Sequence, residues 1–179
     1  MKGLFIHDHV FHEYEHKHYS PGGLPSVVWD RYLEHVNDLT VISRGKKATA
    51  LPEGMILSNK QKVDFKLLYQ VRGGVDYYRY KSEIKQRLEE EIQKADVIII
   101  RLPSTIGSFA ADICNKHSID YITEVVGCAW DSNWNYGSLM IKVQAPYRYF
   151  KMKQLVAKST ASIYVTEFFL QSRYPNKGI

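Results

Sequence analysis

The stretch that most constrains the fold is ADVIIIRLPS, Ala95 to Ser104, an apolar run without alternation. A strand with one wet face alternates apolar and polar residues; a run apolar on both sides reads as a parallel strand covered on both faces. Its neighbours agree. Lys81 to Lys94 carries Ile84, Leu88 and Ile92 on one stripe with Lys and Glu elsewhere, an amphipathic helix. Thr105 to His117 reads as another helix and Ile119 to Val126 as the next strand. This order predicts an α/β fold, a Rossmann-like three-layer sandwich with a mostly parallel central sheet and helices on both faces. With 179 residues and 45% hydrophobic content, the chain suits one domain over 1–179.

Gly3 to Ile6 reads as a buried first strand, Leu39 to Ile42 as a second, Phe65 to Val71 as a third, and Ser162 to Val165 as the last. From Leu24 the apolar residues fall at Val28, Tyr32 or Leu33, and Val36, the spacing of a helix face, and Pro25 suits its first turn. Residues 45–62 are mixed and basic, a loop with a short hairpin. Tyr136 to Ser159 predicts a long helix interrupted at Pro146, and Glu167 to Arg173 a short final one. No apolar run approaches the roughly 20 residues of a membrane span. MKGLFIHDHV is a strand rather than a signal peptide. Cys114 and Cys128, the two cysteines, form no CxxC pair, which points to a reducing compartment. The net charge of +5 suits an anionic ligand or the anionic face of a membrane, and nucleic acid is not the expected partner. The expected location is the cytoplasm, including peripheral attachment at the inner face of the membrane.

Five histidines, His7, His9, His12, His16 and His18, lie within twelve residues. They read as a polar loop at the carboxyl end of the first strand, with His7 or His9 close to a ligand. A metal site is the rival reading, although the HExxH order is missing and no cysteine is near. In SPGGLPSVVW, Gly22 and Gly23 precede the predicted helix, so the backbone could approach a phosphate facing the helix N–H groups. Neither GxGxxG nor a P-loop is present. Glu83 and Glu91 have E-x7-E spacing, but on the charged helix they read as a solvated face.

HYSPGGLPSVVWDRYLEHVNDLTVISR resembles the opening of the GT-B glycosyltransferases of the family 4 type, which include capsule and exopolysaccharide enzymes. ADVIIIRLPSTIGSFAADICNKHSIDYITEVVGCAWD resembles that group's central strand–helix–strand, and ASIYVTEFFLQSRYPNKG the last strand and helix of its amino-terminal domain. The resemblance implies one half of a GT-B enzyme, an acceptor-side amino-terminal domain lacking the donor-binding domain, and inactive alone. It implies retaining transfer of a hexose from a nucleotide diphosphate sugar to a saccharide or lipid-linked acceptor, with no cofactor and no bound metal. Gly22 and Gly23 would face the donor diphosphate. Thr166 stands where many members have serine after the last strand.

The residues add candidates at the strand ends. Arg101 offers a cationic fork for an acceptor hydroxyl or phosphate, or an ion pair with a neighbouring carboxylate. Glu124 could accept a hydrogen bond from the acceptor sugar; these two are the catalytic candidates. Asp131 has a similar claim, and Trp130 and Trp134 could stack on a sugar ring. The substrate-binding set is Gly22, Gly23, His9, Trp130, Asp131 and Thr166. KVQAPYRYFKMKQLVAK mixes basic and aromatic residues, fitting either a helix lying on anionic lipid or an ordinary solvated helix. A non-catalytic sugar or nucleotide module, a histidine-rich metal-binding domain and half of a nucleotide-sugar epimerase are the alternatives.

Overall fold

The computed structural model describes residues 1–136 and 139–178. Gly137 and Ser138, within the predicted long helix, and Ile179, at the end of the predicted domain, lie outside the described residues. The chain forms two compact units, Met1–Ile98 and Ile99–Ile179. The fold is mixed α/β, with mostly parallel strands flanked by helices, as predicted.

The first unit is built on β1 (Lys2–Tyr14), which is far longer than the predicted Gly3 to Ile6. The predicted histidine loop is instead a hairpin. β1 turns at Glu15 and His16, both at positive φ (47° and 60°), and returns as β2 (Lys17–Ser20), antiparallel to it. Two successive left-handed residues match the twist of a two-residue hairpin turn. Paired backbone replaces free loop, so the histidines are distributed along two strands.

The predicted first helix is also shorter than its spacing suggested. A 3-10 turn at Ser26–Trp29 leads into a single helical turn, α1 (Asp30–Leu33). The reason is tertiary. Trp29 is fully buried, and its Nε1 donates to the Ser58 carbonyl at 2.8 Å, while Ser58 Oγ donates to the Leu24 carbonyl at 2.8 Å. The segment is held from its side and needs few helical hydrogen bonds of its own.

β3 (Asp38–Lys47) runs parallel to β1, and β4 (Ile56–Leu57), within the predicted 45–62 loop, pairs antiparallel with β2. β5 (Val63–Leu68) lies parallel to β3. Phe5, Phe11, Trp29 and Phe65 join edge-on or tilted rings beside Leu4, Ile6 and Ile42 to form this unit's core. After a Gly73–Gly74 turn come α2 (Asp76–Arg79) and α3 (Lys81–Ile92), whose Ile84, Leu88 and Ile92 are buried as predicted. Glu91 corrects the expectation of a solvated face. It is buried, with one carboxylate oxygen 2.8 Å from Lys66 Nζ and the other 2.9 Å from Lys94 Nζ. Glu83 stays on the surface, accepting from Gln70.

β6 (Val97–Leu102) leads into the second unit, followed by α4 (Thr105–His117), which begins and ends where the sequence predicts. Ser104 caps α4, its Oγ accepting the Gly107 N–H at 2.8 Å. β7 (Ile122–Val125) pairs parallel with β6. α5 (Ala129–Tyr136), unassigned in the sequence reading, precedes α6 (Leu139–Lys158), which runs through Pro146 without ending there. β8 (Ala161–Tyr164) pairs parallel with β7, and α7 (Phe169–Arg173) follows. The tail is anchored by Asn176, whose amide reaches the Val156 and Ser159 carbonyls at 2.8 and 3.0 Å. Among the described residues no helix is long and apolar enough to cross a membrane.

Candidate functional site

In the second unit, parallel pairing brings the carboxyl ends of β7 and β8 to one level, and the loops leaving them enclose a cleft of about 270 Å³. Such ends are where open α/β sheets bind ligands. Two predicted residues, Asp131 and Thr166, line it, together with Ser132, Asn135, Cys128 and Phe169. Asp131, Ser132 and Asn135 share α5, and their spacing of one and four residues puts them on one side of a helix. Thr166 follows β8 and caps the last helix: its Oγ1 accepts the Leu170 N–H at 3.0 Å. It also approaches Gln171 Oε1 at 3.2 Å.

The wall is built by α7 and the residue after it. Tyr174 is fully buried; its hydroxyl accepts the Ala129 N–H at 3.0 Å and lies 3.3 Å from Cys128 Sγ. Burial pushes the Tyr174 phenol above its ordinary range, so it stays neutral. Arg173 reaches Cys128 Sγ at 3.1 Å and Asp131 Oδ2 at 3.4 Å. That ion pair is long and solvent-screened, so it orients Asp131 more than it stabilises the fold. A sugar hydroxyl could meet a carboxylate, an amide and two hydroxyls here, with the exposed ring of Phe169 as an apolar neighbour.

Trp130 and Trp134 stack on each other, with centroids 5.7 Å apart and planes 16° from parallel. Trp130 borders a second hollow of about 360 Å³ with Asp131, Tyr149, Phe150 and Arg173. Arg101 and Glu124 are direct neighbours across β6 and β7, with Nε to Oε2 at 3.5 Å. The Glu124 side chain is almost wholly buried, whereas that of Arg101 keeps a modest exposure. The ion pair with a neighbouring carboxylate, the alternative role of Arg101, is thus formed with Glu124.

In the first unit, the structure joins His9 to the glycine turn. A bulge interrupts the β1–β3 register between Ile6 and Val10. Ser43 Oγ lies 2.8 and 2.6 Å from the His7 and His9 carbonyls, and Arg44 Nε donates to that of Asp8 at 2.8 Å. The bulge turns His9 toward Gly23, where an added Cβ would come 3.3 Å from the imidazole Cε1. Ser20 Oγ accepts the Leu24 N–H at 3.1 Å, so its proton can go to His9 Nε2, 2.8 Å away. Gly22 has φ of +96°, a conformation glycine adopts without strain. The expected long dipole behind these glycines is reduced to a 3-10 turn, which leaves the local N–H groups themselves.

The other histidines are spread out. His18 stacks on Phe65 at 4.6 Å, and burial holds its imidazole below the usual value. Burial and the nearby Lys46 do the same for His12. Among the described residues no group of three or more His, Cys, Asp or Glu side chains is arranged to hold a metal ion.

The structure thus gathers Asp131 and Thr166 around one cleft with Trp130 adjacent, pairs Arg101 with Glu124, and in the first unit sets His9 against Gly23 beside Gly22. Sequence reasoning missed Ser132, Asn135, Phe169, Arg173 and Tyr174. The signal for the first two was the four-residue spacing of Trp130 and Trp134, which marks α5 as helical.

No protein-family model matches the chain. The chain is 33% identical over 180 residues to Protein CapJ of Staphylococcus aureus, covering 99% of this chain and 45% of that protein. Among solved structures it resembles a ugt transferase from Siraitia grosvenorii, crystallised in complex with UDP. The TM-score is 0.52 at 11% identity, over 97% of this chain and 47% of that one. At that identity the likeness is one of fold. The chain spans about half the length of each.

Proposed function

We propose that this chain is the acceptor-side half of a glycosyltransferase that moves a hexose from a nucleotide diphosphate sugar to a saccharide or lipid-linked acceptor, in capsule or exopolysaccharide synthesis. The observation that carries the reading is the cleft at the carboxyl ends of β7 and β8, where Asp131, Ser132, Asn135 and Thr166 converge on a largely apolar lining. The shared fold with a UDP-bound transferase and the similarity to CapJ over 99% of the chain support it.

In this reading the cleft takes the acceptor. Asp131 accepts a hydrogen bond from an acceptor hydroxyl, Asn135 and Thr166 set the ring's orientation, and Trp130 borders the outgoing sugar. Arg101 and Glu124 act as a unit at the strand ends: the buried carboxylate orients the guanidinium, whose exposed part is left to meet the acceptor. Gly22 and Gly23 serve the donor diphosphate through backbone N–H groups, electrostatic stabilisation that needs no metal. Transfer is with retention, and in this reading a donor-binding domain holds the nucleotide sugar.

The test is an NMR titration of the chain with short saccharides and, separately, with UDP. Saccharide is expected to shift the amides of residues 126–132 and 165–170, and Asp131→Asn to remove most of the response. UDP should act on Gly22 and Gly23. The reading is wrong if saccharides leave the cleft amides unmoved, or if the isolated chain turns over a nucleotide sugar.

A further inference from the structure

α6 carries two apolar stripes where a surface helix needs one. Ala145, Met152, Leu155 and Val156 are buried and form the inward stripe. At about 100° per residue, Leu139, Val143, Tyr147 and Phe150 fall on the opposite side, within an arc of about 80°. They are 81%, 73%, 69% and 65% exposed. Trp134, at 49%, adds a large ring from α5. A run of adjacent exposed apolar side chains marks a surface that is covered in use.

The charge around the stripe identifies the cover. α6, LMIKVQAPYRYFKMKQLVAK, has Lys142, Arg148, Lys151, Lys153 and Lys158 and no acidic residue. Lys151 pairs with Asp112 at 2.5 Å, which leaves four basic side chains without that partner. Lys142 and Lys153 flank one edge of the stripe, with Nζ 5.9 Å from the Trp134 ring centre and 6.0 Å from that of Tyr149. Lys158 lies toward the other edge. An apolar ridge bordered by cations, with Trp and Tyr between them, matches the layering of a bilayer interface: acyl chain, ring, anionic headgroup.

We infer that α6, with Trp134, is a membrane-docking face that seats this protein on an anionic phospholipid surface. The ridge enters the acyl boundary and Lys142, Lys153 and Lys158, on its two edges, meet phosphate. The inference goes beyond the proposed transfer and stands without it, because it uses none of the residues lining the β7–β8 cleft.

The test is co-sedimentation of the chain with phosphatidylcholine vesicles and with vesicles rich in phosphatidylglycerol, alongside tryptophan emission. Binding is expected to the anionic vesicles, with a blue shift from Trp134, and to weaken as salt rises. Lys142→Glu with Lys153→Glu, and separately Val143→Ser with Tyr147→Ser, should each lower partitioning at least about tenfold. All four side chains lie on the flank or solvent side of α6, and circular dichroism checks that the variants fold. Saccharide titration of the same variants should be unchanged, which separates this result from the fate of the transferase reading. Equal binding to both vesicle types, or binding to neither, overturns the inference. So does a concentration-dependent dimer abolished by Val143→Ser with Tyr147→Ser, which would make a second copy the cover.

Discussion

Replacing Tyr174 by Phe removes one oxygen from beneath the candidate cleft and leaves the ring. The ring packs tilted on Tyr149 at 5.3 Å and has no exposed surface, so apolar packing is retained. The hydroxyl accepts the N–H of Ala129, itself buried at the start of α5. Without it, that N–H has no water to turn to, and a buried donor left unsatisfied costs about 1–3 kcal/mol. The contact with Cys128 Sγ, at 3.3 Å, adds little, since sulfur is a weak hydrogen-bonding partner. We therefore expect a loss of about 2 kcal/mol. At about 2–4 °C per kcal/mol for a chain of this size, Tm should fall by about 4–8 °C. Tyr164→Phe is the control: its half-buried hydroxyl donates to the Tyr174 carbonyl at 2.7 Å, and its removal should cost about 1 kcal/mol. Urea titration followed by tryptophan emission should show a lower midpoint with an unchanged slope for Tyr174→Phe. A Tyr174→Phe variant within about 0.5 kcal/mol of the parent, or a larger loss in Tyr164→Phe, would refute the accounting.

Two further perturbations test the frame around the sites. Burial favours the neutral form of Glu91, but hydrogen bonds from Lys66 and Lys94 outweigh it and hold the carboxyl below the ordinary carboxylate range. Its stabilisation is therefore present above the unfolded pKa of about 4.3 and lost as pH falls through the lower folded value. Glu91→Gln should be less stable than the parent at neutral pH, and the gap in urea midpoint should close below about pH 4. A gap independent of pH would show that the charge is not the cause. At Gly107, an added Cβ would sit 2.9 Å from Ile100 Cγ2 and 3.0 Å from Ser104 Oγ. Gly107→Ala should therefore lower stability by about 1–3 kcal/mol despite the better helix propensity of alanine. A stabilised variant in a thermal melt would show that α4 can lift from β6 without cost.

The α/β order was legible because burial wrote it into composition. Ile98, Ile99, Ile100 and Leu102 of the central run and the stripe Ile84, Leu88, Ile92 are buried as their patterns require. α4 was readable to its ends because its cap is local: Ser104 binds Gly107 three residues on, and Ser118 ends the helix at φ of 53°. The hairpin hid because its strands are rich in histidine and other polar residues, and their pairing depends on long-range hydrogen bonds. Glu91 hid for a related reason. Its partner Lys66 lies 25 positions away, on β5, so E-K patterning along α3 describes only Lys94.

The cleft was half legible, and the missing half has one cause. Asp131 and Thr166 could be named because each follows a recognisable strand; Ser132, Asn135, Arg173 and Tyr174 needed the geometry of α5 and α7. Both helices are short, and their burial is set by one another's side chains rather than by a stripe of their own: Tyr174 is held by the Ala129 N–H, and Arg173 by Cys128. α6 shows the opposite difficulty. Apolar residues on two opposite sides leave no polar arc to define a period, so a scan sees a long apolar-basic mixture and cannot say which side faces the core. Only burial separates Met152 and Leu155 from Val143 and Phe150. An outward stripe has no role in folding this unit, since its side chains contribute to stability only when something else covers them. Such a stripe is open to association, and under the docking proposal the lysines along its edges answer to an anionic surface.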